Sequence, residues 1–348
     1  MTTMIDLSPG DDGRADDARL AQLTRHAISQ PLVTHIYTAD PSAHVFEGRL
    51  YIYPSHDIDG GQPFDDEGGH FGMQDYHVLR MDTPDGDAID CGQALHLDDV
   101  PWAHKQMWAP DAACRDGRYY FYFPAKDAQG LFRIGVAVGE RPEGPFIPRP
   151  EPMQGAYSID PAVFEDEDGS HYLYFGGIWG GQLQHYRDNR YDTAHEEPTG
   201  SAPALGPRVG RLDAGMTELA EPTREVQILD EHGQPLRADD HARRFFEGPW
   251  VHKYQGRYYL SYSTGNTHLL CYAIGDSPYG PFTYAGVLLT PVVGWTTHHS
   301  ICSFKGQWYL FYHDALMSGG VTHLRSAKCT PLHMEADGRI RTIDPYGA

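Results

Sequence analysis

The sequence has few cysteines, few basic residues and no long apolar run. Its five cysteines are scattered without CxxC spacing, which argues against a disulfide-rich secreted scaffold and favours a reducing compartment. No apolar run approaches the roughly 20 residues that a membrane helix needs. With 48 acidic against 27 basic residues and a formal charge of −21, the chain would repel nucleic acid, so a neutral or cationic small partner fits better. Solubility alone also accounts for such acidity.

Several catalytic signatures are missing as well. Despite 20 histidines, there is no HExxH motif and no Cys/His pairing, so no transition-metal catalytic site is predicted. A Gly-rich phosphate loop and a Ser-His-Asp pattern are also lacking. The N-terminus carries acidic residues where a secretory leader needs basic ones. We therefore expect a cytoplasmic protein without a membrane anchor or disulfides, with a mobile acidic segment over residues 1–28 and one domain over 29–348.

What the chain does contain is material for short strands and turns: 38 Gly, 26 Pro, 14 Phe, 22 Tyr and 6 Trp. One phrase occurs five times. A head residue, usually followed by Pro, comes first, a turn glycine follows eight or nine residues later, and an alternating aromatic strand ends the phrase. The five phrases are clearest in TADPSAHVFEGRLYIYPSHD, MWAPDAACRDGRYYFYF, SIDPAVFEDEDG, FFEGPWVHKYQGRYYLSYS and the segment that begins HHS.

The repeating unit is larger than one hairpin. Two copies also share a later phrase, GERPEGPF at 139–146 and GDSPYGPF at 275–282, each after an apolar strand. A unit of three or four strands repeated five times predicts an all-β fold, a five-bladed β-propeller whose blades are roughly four-stranded antiparallel sheets. A β-helix would need shorter, more regular repeats, and a β-sandwich would not predict the shared Pro-Gly-Phe corners.

Equivalent positions in the blades of a propeller lie around one axis. The residues that head the five phrases are Asp40, Ala109, Asp160, Glu247 and His298. Three carboxyl groups would therefore meet in one central cavity, where like charge and burial raise at least one pKa. One group could then act as an acid while another acts as a base. An Asp-Pro pair is also a common turn former, but the shared phase of all three favours the cavity.

These five phrases resemble those of glycoside hydrolase family 43, five-bladed propeller enzymes that act on β-xylosides and α-L-arabinofuranosides. The resemblance spans Leu32 to about Ile343. It implies that Asp40 is the catalytic base, that Asp160 tunes the pKa of the acid and orients it, and that Glu247 is the catalytic acid. It further implies a water or a calcium ion near His298, with no other cofactor.

Three further residues are candidates for substrate binding. The resemblance places Arg325 against the sugar and His298 near the axis. Trp108 stands beside a repeat head and is expected to stack on a sugar ring. For Trp102, stacking on sugar and packing within a blade are equally good interpretations. The HHS segment leaves open whether His298 or His299 faces the cavity.

The implied reaction is hydrolysis with inversion, for which the carboxyl groups of Asp40 and Glu247 should lie about 6.5–9.5 Å apart. The expected substrate is a small xylo-oligosaccharide or arabinoxylan fragment, cut from its non-reducing end. The alternatives are an α-L-arabinofuranosidase and a non-catalytic sugar-binding propeller. Many relatives carry a C-terminal β-sandwich that closes the pocket. This chain stops just after the fifth blade, so blade loops must shape the site, alone or with a neighbouring subunit of a homo-oligomer.

Overall fold

The computed structural model describes residues 17–347. Five sheets in chain order form five blades, which confirms the propeller. Blade I consists of β1 (Tyr37–Phe46), β2 (Arg49–Asp57), β3 (Asp75–Met81) and β4 (Ile89–His96), and blade II of β5 (Ala103–Lys105), β6 (Asp111–Arg115), β7 (Arg118–Asp127), β8 (Phe132–Gly139) and β9 (Ile147–Pro148). Blade III consists of β10 (Ala162–Glu165), β11 (His171–Phe175), β14 (Arg208–Arg211) and β15 (Arg224–Glu225). Blade IV consists of β16 (Ile228–Leu229), β17 (Glu247–Tyr254), β18 (Arg257–Ser263), β19 (Leu270–Gly275) and β20 (Phe282–Leu289), and blade V of β21 (His299–Phe304), β22 (Gln307–Asp314) and β23 (Ser326–Leu332).

The remaining elements are small. Helix α1 covers Asp17–His26, and single 3-10 turns cover Leu97–Asp99, Trp179–Gly181 and Leu183–His185. A separate hairpin of β12 (Tyr186–Arg187) and β13 (Arg190–Tyr191) lies in the insertion of blade III. None of the helices in residues 17–347 has the length and apolarity needed to cross a membrane. All five cysteines are free thiols.

The innermost strands form a ring around the axis. Strand β1 contacts β6, β6 contacts β10, β10 contacts β17, β17 contacts β21, and β21 contacts β1 again. Apolar clusters fill the spaces between neighbouring blades; Tyr122 of blade II and Leu173 of blade III, for example, belong to the same cluster. Because every blade is wedged between two others, the inner strand ends are held in fixed positions around one cavity.

The repeated glycines mark the first hairpin of each blade. In four blades both central turn residues have positive φ, as in Glu47-Gly48 (53° and 75°) and Gln255-Gly256 (48° and 77°). That is the requirement of a type I′ turn, which matches the twist of paired strands and favours glycine in the second position. The two Pro-Gly-Phe corners pack the same way, since a Cβ on Gly139 or Gly275 would lie about 3 Å from the following Phe146 or Phe282 ring.

The ring closes where the segment around β1 meets blade V. The N–H of Leu32 donates to the carbonyl of Ala327 (2.8 Å), and that of Thr38 donates to the carbonyl of Arg325 (2.9 Å). The segment before β1 therefore lies along the outer strand of blade V, which has only three strands of its own. The mobile segment predicted over 1–28 falls partly outside the described residues; within them, α1 buries Leu20 and Leu23 against blade V and the C-terminal turn. The predicted domain boundary stays a prediction.

Candidate active site

A cavity opens on the axis at the heads of the inner strands. It brings together all six residues predicted for the site: Asp40, Trp108, Asp160, Glu247, His298 and Arg325. Two segments wall it on the side. The pocket loop, defined as residues 58–74 between β2 and β3, and the insertion after β11 contribute Phe64, Asp65, Asp66, Gly68, His70, Phe71, Met73, Ile178, Trp179, Gly180 and Gly181.

Backbone irregularities aim the acidic side chains into this cavity. Pairing of β1 with β2 skips from Ala39 to Ser42, so Asp40 lies in a β-bulge with φ of 49°. Strand β17 skips in the same way after Glu247, with Gly248 at φ 64°. Asp160 also has positive φ, 57°. Bulges beside active sites redirect side chains, and a left-handed aspartate carries strain that the surrounding contacts must hold. Glu247 precedes its bulge, whereas Asp40 lies within one.

Asp40 is buried and held as an anion. Its carboxylate accepts hydrogen bonds from the Arg325 guanidinium (2.9 Å) and from the Ser55 hydroxyl (2.7 Å), and its N–H donates to Nδ1 of His313 (3.0 Å). Burial alone would raise its pKa, but Arg325, His313, His298 and Ser55 together lower that pKa to about 2. At neutral pH this carboxylate is ionised and can accept a proton.

Glu247 and Asp160 behave in the opposite way. Burial and the negative charge of Asp40 raise the pKa of Glu247 to about 8, against a small opposing effect of Arg325. Burial, Glu247 and Asp40 likewise raise the pKa of Asp160. Because each affects the other, the two carboxyl groups titrate as a pair. The N–H of Gly248 donates to Asp160 (2.8 Å), which favours the ionised form there. The carboxyl group of Glu247 has no hydrogen-bond partner in residues 17–347, so Glu247 is the better place for the proton.

Arg325 joins two buried acids. Its Nε and one terminal nitrogen donate to Asp57 (2.8 and 2.7 Å), and the other terminal nitrogen donates to Asp40 and to Thr296 (2.9 and 3.1 Å). Its guanidinium also lies 4.8 Å from the ring centre of Phe71 in the pocket loop. Because all three guanidinium nitrogens of Arg325 donate hydrogen bonds, the position of this side chain at the cavity wall is fixed.

The two histidines of the HHS segment face different ways. His298 lines the cavity, 3.8 Å from Asp160, and both nitrogens of its buried ring lack hydrogen-bond partners among the described residues. Burial lowers its pKa, so the ring is neutral at pH 7. His299 instead turns into the sheet, where its Nε2 meets the Ser261 hydroxyl at 2.6 Å. His298 is therefore the axial residue.

Trp108 lies on the cavity wall and is held there by the pocket loop. Its Nε1–H donates to the carbonyl of Phe71 (2.9 Å), and Gly68 packs so closely that a Cβ there would lie 2.7 Å from the indole. Trp102 is not part of the cavity. It stacks on Phe123 at 5.8 Å and an interplanar angle of 12°, so packing within the blade is the correct interpretation for it.

Comparison with known proteins shows the family of this chain. The protein-family model described as Glycosyl hydrolases family 43 matches residues 90–340. The chain belongs to glycosyl hydrolase family 43. It is 59% identical to a "Xylosidase/arabinosidase" of Bacteroides ovatus over 90% of this chain and 97% of that protein. This family 43 chain is therefore a glycoside hydrolase.

Two solved structures of the family are close in shape. One is the GH43_1 enzyme from Xanthomonas citri complexed with xylotriose: TM-score 0.92, 71% identity, covering 95% of this chain and 98% of that one. The other is a GH43 β-xylosidase/α-arabinofuranosidase from a compost microbial metagenome, complexed with xylotriose in a calcium-free form. Its TM-score is 0.90 at 60% identity, and it covers 91% of this chain and 98% of that one.

Sequence reasoning missed three polar residues of this family 43 site. Asp57 holds Arg325, His313 lies 3.4 Å from the Asp40 carboxylate, and buried Asp111 joins the inner ends of three blades. Asp111 meets the His44 ring (2.6 Å) and the Ser42 hydroxyl of blade I and accepts from the N–H of Val163 in blade III (2.5 Å). A charged residue within or at the end of an aromatic strand was the available signal, since buried charges need partners.

Proposed function

We propose that this family 43 enzyme is an inverting exo-glycosidase that releases xylose from the non-reducing end of xylo-oligosaccharides or arabinoxylan fragments. One observation carries the proposal. Two carboxyl groups in one cavity have pKa values displaced in opposite directions, that of Asp40 to about 2 and that of Glu247 to about 8. At neutral pH the first is a base and the second is an acid, which is the pair that an inverting glycosidase needs.

The hydrolysis then takes one displacement. Ionised Asp40 removes a proton from a water molecule, and that water attacks the anomeric carbon from one face of the sugar. Protonated Glu247 donates its proton to the glycosidic oxygen, which leaves from the other face. Asp160 takes no part in bond making; as an acidic neighbour whose carboxyl group interacts with Glu247, it tunes the pKa of that acid and orients it. Trp108 would stack on the sugar ring, and Arg325 would hold Asp40 in its ionised form and border the sugar.

The cavity favours removal of terminal sugars over cleavage within a chain. The pocket loop and the insertion after β11 wall the cavity laterally, whereas an enzyme that cuts within a chain needs a groove open at both ends. The relatives named xylosidase/arabinosidase and the structures with xylotriose support xylo-oligosaccharides as substrates. The same names support α-L-arabinofuranosidase activity as the second candidate, since both sugars are pentoses.

Two measurements test this function. Rates on nitrophenyl β-D-xyloside and nitrophenyl α-L-arabinofuranoside give the sugar preference, and we expect the xyloside to react faster. Proton NMR of the first sugar released from a β-xyloside should show the α-anomer. The β-anomer as first product would mean a covalent intermediate, and Asp40 would then not be a base. No turnover of either glycoside would favour a sugar-binding propeller.

We further propose that His298 marks a calcium position on the axis, with Asp160 supplying negative charge beside it. The unpartnered ring nitrogens of His298 fit a ligand at this place. Calcium prefers oxygen ligands, so water molecules would supply most of its shell. A metal-stripped sample should take up calcium in a calorimetric titration, and His298→Asn should weaken that uptake. Unchanged uptake by the variant would place calcium elsewhere.

Two expectations from the sequence stay predictions. Cytoplasmic location is supported by five free thiols, and intact-mass analysis of the native protein tests it, because a processed N-terminus or paired cysteines would contradict it. A homo-oligomer remains the alternative to a single chain, and sedimentation of the purified enzyme distinguishes the two.

A further inference from the structure

A second cluster of metal-ligating side chains lies on blade I, outside the active-site cavity. His56 at the end of β2 meets Asp75 at the start of β3, with Nδ1 and Oδ1 2.7 Å apart. His77, two residues along β3, places its Nε2 3.6 Å from the other Asp75 oxygen. One ligand atom from each of the three residues lies within 4.8 Å of the others, and all three side chains are half-buried.

Partners behind these residues fix their orientation. Asp90 on β4 accepts from the far nitrogen of His77, Nδ1, at 2.9 and 3.1 Å. His35 in turn contacts Asp90 at 2.8 Å. Metal-binding histidines almost always donate their second ring N–H to a carboxylate, a backbone carbonyl or water, which sets the tautomer and leaves the first nitrogen to bind. His77 is held in that way, with its Nε2 directed at Asp75.

The spacing and donor types fit a small tetrahedral ion. Two ligands on zinc, at bond lengths of about 2.0–2.1 Å, lie roughly 3.3 Å apart. His56 and His77 contact different oxygens of Asp75, and one ligand atom from each residue lies within 4.8 Å of the others. Small rotations of these half-buried side chains would bring the three ligand atoms to the spacing that zinc needs. Two imidazoles and one carboxylate leave one position of the tetrahedron for water. Such nitrogen-rich donor sets select zinc and similar ions over calcium or magnesium.

The position of the cluster in the chain indicates what an ion there would do. His56 is the next-to-last residue of β2, just before the pocket loop, and Asp75 follows directly after that loop. The loop supplies Phe71 to the Arg325 guanidinium and to the indole N–H of Trp108. An ion bound to His56 and Asp75 would tie the two ends of the loop together at its base.

We propose that His56, Asp75 and His77 form a binding site for a divalent transition-metal ion, zinc by preference, which fastens the base of the pocket loop. The site is structural and separate from the calcium position proposed at His298. No step of hydrolysis passes through it. Its function is to hold the loop residues that position Trp108 and Arg325 at the cavity wall.

Binding of zinc to the full-length, untagged enzyme after removal of metals tests the site directly. Calorimetric titration should give one zinc per chain, and cobalt in its place should give the visible absorption of a tetrahedral complex. His77→Gln should abolish both signals. Asp90→Asn keeps all three ligands but removes the negative charge of the group that accepts from His77, so the affinity should fall by about 10- to 100-fold. His232→Gln, which alters a histidine beside the single carboxylate of Glu231, is the matched control and should bind as the unaltered protein does.

Limited proteolysis gives a second readout that requires no substrate. Zinc should slow cleavage within residues 58–74 in the unaltered enzyme and in His232→Gln, but not in His77→Gln. The proposal is overturned if the unaltered enzyme takes up no stoichiometric zinc, or if His77→Gln and His232→Gln bind zinc equally. Should His77→Gln fail to fold, as circular dichroism would show, His56→Gln decides in its place. Because these readouts omit substrate, they stand independently of the proposed glycosidase reaction.

Discussion

Asp40 and Glu247 lie in the same cavity at the heads of inner strands, yet their surroundings give them opposite properties. Asp40 has a guanidinium, a hydroxyl and a histidine around it, and it is ionised at neutral pH. Glu247 has two acidic neighbours and no hydrogen-bond partner within residues 17–347, and it keeps its proton. The comparison shows that contacts from distant blades, rather than the kind of side chain, decide which group is the base and which is the acid.

Removal of the base should have the largest effect. Asp40→Ala should depress the hydrolysis of xylobiose and of an aryl xyloside alike, because every substrate needs the activated water. The loss in kcat should be on the order of 10²–10⁴-fold, the usual contribution of general base catalysis. Azide should restore part of the rate from the vacated face. A loss confined to xylobiose would contradict the assignment.

Removal of the acid should separate the two substrates. Glu247→Ala should slow xylobiose by roughly 10²–10⁴-fold while sparing an aryl xyloside whose phenol leaves without protonation. The measurement is the ratio of kcat/KM values for the two substrates, with Asp40→Ala as the matched comparison. Equal losses on both substrates would mean that Glu247 is not the proton donor.

Replacing the Arg325 guanidinium should raise the pKa of Asp40 and so reduce its difference from an ordinary carboxyl group. Arg325→Lys keeps one positive charge but cannot serve Asp57 and Asp40 together. The pKa of Asp40 should rise from about 2 toward its usual value of 3.8, so the acidic limb of the kcat/KM profile should move to higher pH. The alkaline limb should move up or stay, because Arg325 also lowers the pKa of Glu247. If the acidic limb of the kcat/KM profile does not move in a variant that melts at the normal temperature, Arg325 is not the cause of the low pKa of Asp40.

Loss of the second acid should move the other limb in the opposite direction. In Asp160→Asn, Glu247 loses an acidic neighbour whose carboxyl group interacts with its own, so its pKa should fall below about 8. The alkaline limb should therefore shift to lower pH, with a modest fall in kcat. Full activity with an unchanged profile would contradict the tuning role. Circular dichroism serves as the control, since Asp160 also accepts from the N–H of Gly248.

Much of the fold could be predicted because its signals are local. A turn glycine and an alternating strand are each encoded within about ten residues, and their repetition gave the number of blades. Because Asp40, Asp160 and Glu247 occupy equivalent positions in the repeat, the sequence also predicted that they meet in one cavity. Blade V departs from the predicted four strands because its outer edge is covered by residues 32–38 from the other end of the chain, a pairing that no local pattern encodes.

The partners of these carboxyl groups could not be predicted for the same reason. Asp57 matters through Arg325, which is 268 residues away in sequence, and His313 contacts Asp40 across 273 residues. The choice between His298 and His299 depends on strand register, because a shift of one residue reverses every side chain. The His56–Asp75–His77 cluster escaped because its ligands come from two strands with no fixed motif spacing.

The Asp40–Arg325 contact also has a consequence for how the enzyme is made. The two residues are 285 positions apart, so a ribosome releases the aspartate long before it adds the arginine. Until blade V emerges, Asp40 of the nascent chain lacks the Arg325 guanidinium, and the ring of blades is not closed. Partly synthesised or prematurely ended chains should therefore be inert toward sugars, and activity should appear only when synthesis has passed the last blade.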